Sequence, residues 1–166
     1  MKLLAISLLC FLLKLSSAYS YDIHSLRQLY YAAAVNKDSA NKFQMVMRGL
    51  ESNTDPIYMC YKGMANLMQA NHSINPYTKI ACFNKGKAML EKAISADPKN
   101  IEMRFMRYGT QTNAPLFLGY SSNINADKLA IMNGWSTITD NDLKEKIRKY
   151  MMESNLCGTK EKLIFK

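Results

Sequence analysis

The chain has 166 residues, and 22 Lys and Arg against 13 Asp and Glu give it a formal charge of +9. That length bounds it to one domain. Its basic residues are scattered, with no Arg-rich block and no aromatic–basic interleaving, which argues against a nucleic-acid partner. His24 and His72 are its two histidines, neither with a second His or a Cys three or four positions on, which argues against a structural zinc site.

The first stretch is set apart from the domain. Met1-Lys2 gives a positive start, Leu3 to Leu13 an apolar run, and Ser16-Ser17-Ala18 a small-residue cleavage site, the grammar of a secretory signal peptide over residues 1–18. The run is too short for a span of ~20 residues and is interrupted by Lys14, and bulky Leu9 before Cys10 argues against lipid attachment. No second long apolar run follows, so no transmembrane segment is expected. The mature domain, residues 19–166, is therefore expected to be secreted or periplasmic. Losing Lys2 and Lys14 with the leader leaves 20 basic and 13 acidic residues, a charge of +7 that favours acidic partners or anionic surfaces. Three cysteines remain, Cys60, Cys82 and Cys157. The odd number leaves at least one thiol free or paired with another chain; Cys60 and Cys82 fall in apolar segments that either bridge or stay reduced.

Beyond the leader every apolar stripe has a helical period. Asp22 to Asn36 is predicted as a first helix, with Leu26, Leu29, Tyr30 and Ala33 repeating along it. Asp38 or Ser39 is expected to cap a second, striped by Ala40, Phe43, Val46 and Leu50. After the polar loop Glu51 to Asp55, Asp55-Pro56 opens a third through Tyr58, Tyr61, Ala65 and Met68. Asn75-Pro76 opens a fourth, because Asn accepts from free first-turn N–H groups and proline gives up a donor with no intrahelical partner. Its inner stripe is Phe83, Gly86, Leu90 and Ala93, and Asp97-Pro98 ends it. A fifth follows Asn100, with Ile101, Phe105 and Tyr108 inside and Arg104, Arg107 and Gln111 on a stripe beside them.

From Thr112 the pattern loosens. Leu116 to Leu118 forms a short turn ended by Gly119, and Asn125 caps a helix through Leu129, Ile131 and Met132 that breaks near Gly134. Thr139 with Asp142 three residues on is a capping-box start for a last helix, Asp140 to Ser154. Residues 155–166 are expected to be a loosely attached tail. No segment alternates cleanly and no Asn-Gly or Asp-Gly joins two β-branched runs, so no sheet is predicted. The expected fold is all-α: six to seven helices in antiparallel hairpins, as an α-solenoid segment or a compact bundle.

The succession Gly86-x3-Leu90-x2-Ala93-x4-Pro98 resembles the second helix of a tetratricopeptide repeat. The preceding helix departs from the pattern, lacking a Trp-x2-Leu-Gly-x2-Tyr run. Across residues 24–120, His72-Ser73-Ile74-Asn75-Pro76-Tyr77-x-Lys79, Lys85-Gly86 and Asp97-Pro98-x-Asn100-x-Glu102-x-Arg104-Phe105-x-Arg107 look similar to small secreted bacterial proteins of the tetratricopeptide-like type. The resemblance implies a fold and no activity.

The candidate binding residues are His72, Tyr77, Lys79, Arg104 and Arg107. Antiparallel packing of helices four and five puts residues 72–79 and the two arginines at opposite ends of the pair, so one pocket requires the segment from Gln69 to Asn75 to loop back along the hairpin. The plainer role for the arginines is to pair with Glu91, Asp97 or Glu102. Nucleophilic catalysis would need Ser or Cys beside a base, and His72-Ser73 adjacency does not set that geometry. Eleven methionines after processing, among them Met64, Met68, Met151 and Met152, suit irregular helical cores better than copper ligation. No cofactor is expected. Asn71-His72-Ser73 fits a glycosylation sequon, relevant only in a glycosylating source.

Three function classes follow: an interaction module presenting a basic, tyrosine-containing helical groove to a peptide or protein; an enzyme or small-anion-binding protein using His72 with Arg104 and Arg107; and a structural protein that oligomerises through its apolar tail. Export carries its own test. The intact mass of the exported product should correspond to a chain starting at Tyr19, and a product retaining Met1 would refute the leader.

Overall fold

The computed structural model describes residues 21–50 and 54–166, so the predicted leader lies outside the described residues, as does part of the loop after the second helix. Among the described residues there are eight α-helices and no strand. They are α1 (Ile23–Val35), α2 (Lys37–Gly49), α3 (Pro56–His72), α4 (Pro76–Ala96), α5 (Ile101–Asn113), α6 (Ile124–Gly134), α7 (Asn141–Glu153) and the short α8 (Thr159–Lys162). The all-α expectation holds, with α8 taking the count one beyond six to seven. None of these helices is long and apolar enough to cross a membrane.

Side-chain caps start most of them. Asp22, Asn36, Asp55, Asn75, Asn100 and Asp140 each accept an N–H from the first turn of the helix that follows, and a cap of this kind contributes about 1 kcal/mol. Three expected starts are corrected. The cap of α2 is Asn36, not Asp38 or Ser39: its extended backbone lets its N–H close α1 on the Ala32 carbonyl while its Oδ1 accepts from Ser39 N. α6 begins after Asn123 rather than Asn125, without a side-chain cap. α7 is capped by Asp140 rather than Thr139, through Leu143 N at 3.0 Å. The segment Gln69 to Asn75 does not loop back, because α3 continues through His72 and leaves residues 73–75 as the connection.

Specific contacts give the helix directions. Tyr58 donates to the Tyr21 carbonyl and His72 lies on the Ala33 carbonyl, so α1 and α3 run parallel. Tyr61 meets Glu102 and Met64 meets Thr110, so α3 and α5 do too. Phe105 and Tyr108 both pack on Tyr150, and Tyr108 reaches Ser154, which extends the parallel set to α7. α2, α4 and α6 return antiparallel between them. Gln69 meets Asn41 and Tyr61 meets Phe43 on α2, and Gly86 faces Leu67 and Leu90 faces Gly63 on α4. Ile101 faces Gly134, while Gln111 meets Asn123 at the other end of α6.

The tightest crossing is α3 on α4. A Cβ at Gly86 would stand 2.7 Å from the Gly63 carbonyl oxygen, and one at Gly63 would stand 2.9 Å from the Gly86 oxygen. Glycine at both positions lets the two backbones touch, and the stripe Phe83, Gly86, Leu90 and Ala93 is buried as the spacing predicts. α5 serves two cores. Met103 and Met106 pack into a cluster with α1 to α4, whereas Phe105 and Tyr108 pack into a second with Ile131, Ile147 and Met151. The tail belongs to the second, contrary to the loose attachment expected. Phe165 is fully buried against Trp135, and Lys128 pairs with Glu161 at 2.9 Å. Cys60, Cys82 and Cys157 are free thiols; Cys60 lies 3.4 Å from the Met106 sulfur, far along α3 from the wall that holds Cys82.

The Gly63–Gly86 contact is sensitive to a single methyl group. Gly86→Ala should lower stability by about 1–3 kcal/mol through overpacking, although alanine intrinsically favours a helix by ~1 kcal/mol. Thermal melting of the variant measures the balance, and a raised midpoint would mean the crossing relaxes freely.

Candidate functional site

The five candidate residues are distributed over three places. His72 ends α3, its Nε2 2.7 Å from the Ala33 carbonyl; a carbonyl only accepts, so this nitrogen carries the proton. Tyr77, in the first turn of α4, is 86% exposed. Lys79, one turn from the start of α4, is exposed at the rim of an apolar groove. Arg104 and Arg107 lie on α5 and turn toward α6. No single pocket unites them, because α3 stays helical to His72 and the connection to α4 is too short to fold back.

The arginine pair has its acidic partner inside the fold. Asp127, fully buried on α6, accepts from Arg107 Nε at 2.7 Å and Nη2 at 2.8 Å and from Arg104 Nη1 at 2.9 Å. Arg107 also reaches Glu91, which in turn accepts from the Tyr120 hydroxyl. Arg104 Nε donates to the Pro98 carbonyl. Burial works against the charge on Arg107, but the carboxylates of Asp127 and Glu91 outweigh it and hold the guanidinium charged. Of the three internal partners anticipated, Glu91 is used by Arg107. Asp97 pairs with neither arginine and instead accepts from the Asn100 side chain. Glu102 serves Arg27: Nε and Nη2 of Arg27 donate to it at 2.8 and 3.1 Å, and its other bonds go to Asp140 and Asp142 at 2.9 Å.

The groove at whose rim Lys79 stands was not foreseen. It encloses about 630 Å³, a volume typical of ligand sites, and all four parallel helices line it. Tyr30 and Tyr31 come from α1, Met64 and Met68 from α3, Phe105 and Met106 from α5, and Tyr150 from α7. Its mouth is formed by Ile80 of α4 and by Phe117, 81% exposed on the turn after α5. Polar groups converge at one end, where the Tyr150 hydroxyl lies 2.6 Å from Thr112 Oγ1 and 2.7 Å from Asn113 Nδ2. Burial raises the Tyr30 phenol well above its ordinary range, and no hydrogen bond serves its hydroxyl among the described residues.

One backbone position in this groove lacks a packing reason. Gly109 sits inside α5, where glycine is less favourable than alanine by ~1 kcal/mol. A Cβ there would meet only Tyr150, at 3.9 Å, an ordinary contact. The fold has room for a side chain where none is present, and the vacant methyl position faces the groove. A glycine in mid-helix was the one sequence signal that could have marked the groove, since Tyr30, Met64 and Phe105 are indistinguishable by spacing from core.

A second groove lies on the other side of α3, between α2 and α4. It encloses about 690 Å³ and is lined by His72, Asn75, Lys37 and Lys85 among others. His72 and Lys79, seven residues apart, thus border different grooves. Among the described residues no group of three or more His, Cys, Asp and Glu is placed to hold a metal ion.

Arg107→Ala should destabilise the fold by about 3–5 kcal/mol, because it strands the buried Asp127 charge. Denaturant unfolding of this variant beside Arg104→Ala, which leaves Asp127 its bidentate partner, should show the larger loss for Arg107. No protein-family profile matches this chain, and no curated protein or solved structure matches it either.

Proposed function

We propose that the chain is an exported interaction module whose tyrosine-lined groove receives an apolar segment of a partner protein or peptide. The observation that carries this reading is the groove itself: an apolar cleft between four parallel helices, with Gly109 giving close access to the α5 backbone and an unserved Tyr30 hydroxyl inside. Apolar side chains of a partner would displace water from Ile80 and Phe117, the exposed apolar residues at the mouth. The Tyr30 hydroxyl and the Tyr150, Thr112 and Asn113 group would take main-chain polar groups, and Lys79 at the mouth would favour an acidic flank. Aromatic and methionine linings suit such a surface, because they adapt to irregular apolar shapes.

The alternative of an enzyme or small-anion site built on His72, Arg104 and Arg107 has less support. His72 Nε2 is committed to a backbone carbonyl and the arginines to Asp127. Oligomerisation through the tail competes with the burial of Phe165 within its own chain.

The test uses bis-anilinonaphthalene sulfonate as a reporter of the groove. Its fluorescence should rise on binding, and a nonapeptide rich in Leu and Phe should displace it whereas its Ser-substituted counterpart should not. Gly109→Leu, which fills the groove from α5, should abolish both effects with little change in melting temperature. Displacement that survives Gly109→Leu would place the apolar site elsewhere and refute the reading.

A further inference from the structure

We propose that the groove between α2 and α4 is a second binding site, for a short, extended, acidic peptide segment, on the face opposite the tyrosine-lined groove. Three cations border it, Lys37 and Arg48 of α2 and Lys85 of α4. All three are exposed, and among the described residues none has an ion pair and no carboxylate lines the groove. By contrast the other arginines of the described residues, Arg27, Arg104, Arg107 and Arg148, are all bonded to acids. Like charges left together around a concavity raise the local concentration of anions.

The floor supplies the second half of the argument. α3 presents Asn66, Gln69 and His72 to the groove at a spacing of three, while Asn41 and Gln44 face them from α2. The internal hydrogen bonds of Asn66, Gln69, Asn41 and Asn75 use one half of each amide. Asn66 Nδ2 donates to the Lys62 carbonyl, Gln69 Nε2 donates to Asn41 Oδ1, and Asn75 Oδ1 caps α4. The remaining halves, a carbonyl on Asn66, a carbonyl on Gln69 and an NH2 on Asn41, have no partner among the described residues. Gln44 Oε1 is buried with no partner among the described residues. Such mixed donors and acceptors match a peptide main chain, which offers one N–H and one C=O per residue.

Length and lining choose among acidic polymers. Lys37 and Arg48 stand roughly 16 Å apart along α2 at the helical rise per residue, a distance that an extended chain covers in about five residues. Among the described residues no aromatic side chain lines the groove, so they offer no platform on which a base or a sugar ring could stack. An acidic peptide is therefore favoured over single-stranded nucleic acid or an acidic glycan. Acidic side chains would meet Lys37 at one end and Arg48 with Lys85 at the other, with main-chain groups on the amides between.

Fluorescence anisotropy of a labelled hexapeptide alternating Glu and Ser tests the site on the full chain. The peptide should bind in a salt-dependent way, and Arg48→Gln with Lys85→Gln should weaken it by about tenfold or more while leaving the melting curve unchanged. A Gln-for-Glu peptide and a version N-methylated along its main chain should each lose about as much, the first for want of charge and the second for want of donors. Gly109→Leu, which fills only the opposite groove, should leave this binding intact, so the site stands or falls independently of the apolar one. Equal affinity for the N-methylated peptide would overturn the amide reading of the site. Tighter binding of a hyaluronan hexasaccharide or of inorganic tripolyphosphate than of the peptide would overturn the peptide assignment, and indifference to the Arg48 and Lys85 substitutions would overturn the site.

Discussion

The contact on which the architecture rests is the meeting of two glycines. With a Cβ at either Gly63 or Gly86 the α3 and α4 backbones could not come as close as they do, and α3 is the helix that everything else in the first core touches. It packs against α1, α2, α4 and α5. Because α3 and α4 lie so close, their flanks open outward. α2 and α4 stand as walls on one side of α3, and α1 and α5 converge on the other. Both grooves are by-products of a central pair of helices packed too tightly for their neighbours to close over them.

Charge is used differently on the two sides of this frame. Toward the interior, guanidinium groups are matched to carboxylates with bidentate geometry, at Arg27 with Glu102 and at Arg107 with Asp127. Planar fork geometry explains why arginine rather than lysine fills both positions. Asp140 and Asp142 add negative charge beside Arg27, where the N-terminus of α7 favours it. Burial opposes ionisation of Asp140, but the Arg27 guanidinium and the Leu143 amide outweigh it, so its carboxyl is held below the usual range. Toward solvent, most lysines of the described residues other than Lys62 and Lys128 make no ion pair, and the charge left over after internal pairing is positive.

How much of this the sequence discloses depends on the distance over which each feature is decided. Helix starts at Asp55-Pro56 and Asn75-Pro76 are settled within one turn, and both stand where the residues indicate. The buried stripe of α4 is likewise a matter of period. Arg27 is different. Amid polar neighbours on an ordinary first helix it reads as surface, yet it is buried because its partners, Glu102, Asp140 and Asp142, come from α5 and the start of α7. Asp127 is hidden in the same way, since nothing near it in sequence announces that two arginines from the preceding helix converge there. The site was only partly legible for a related reason. His72 and Lys79 are neighbours along the chain, but the turn between α3 and α4 sends them to opposite sides of one helix pair, and the tyrosines of the groove share the spacing of core residues.

Stacked helical hairpins in general unfold piecemeal, since each unit touches only the next and stability is a sum of neighbour terms. Arg27 breaks that locality. From the first helix it bonds to the fifth and to the start of the seventh, so α1 cannot leave without stripping a buried cation from three carboxylates, and α7 cannot leave without exposing it. Phe165, buried at the far end of the chain, ties the last residues to the core that α5 shares with α7. Fraying from either terminus is thereby coupled to the middle of the molecule, and the described residues should melt in a single all-or-none transition rather than as a row of modules that open one by one.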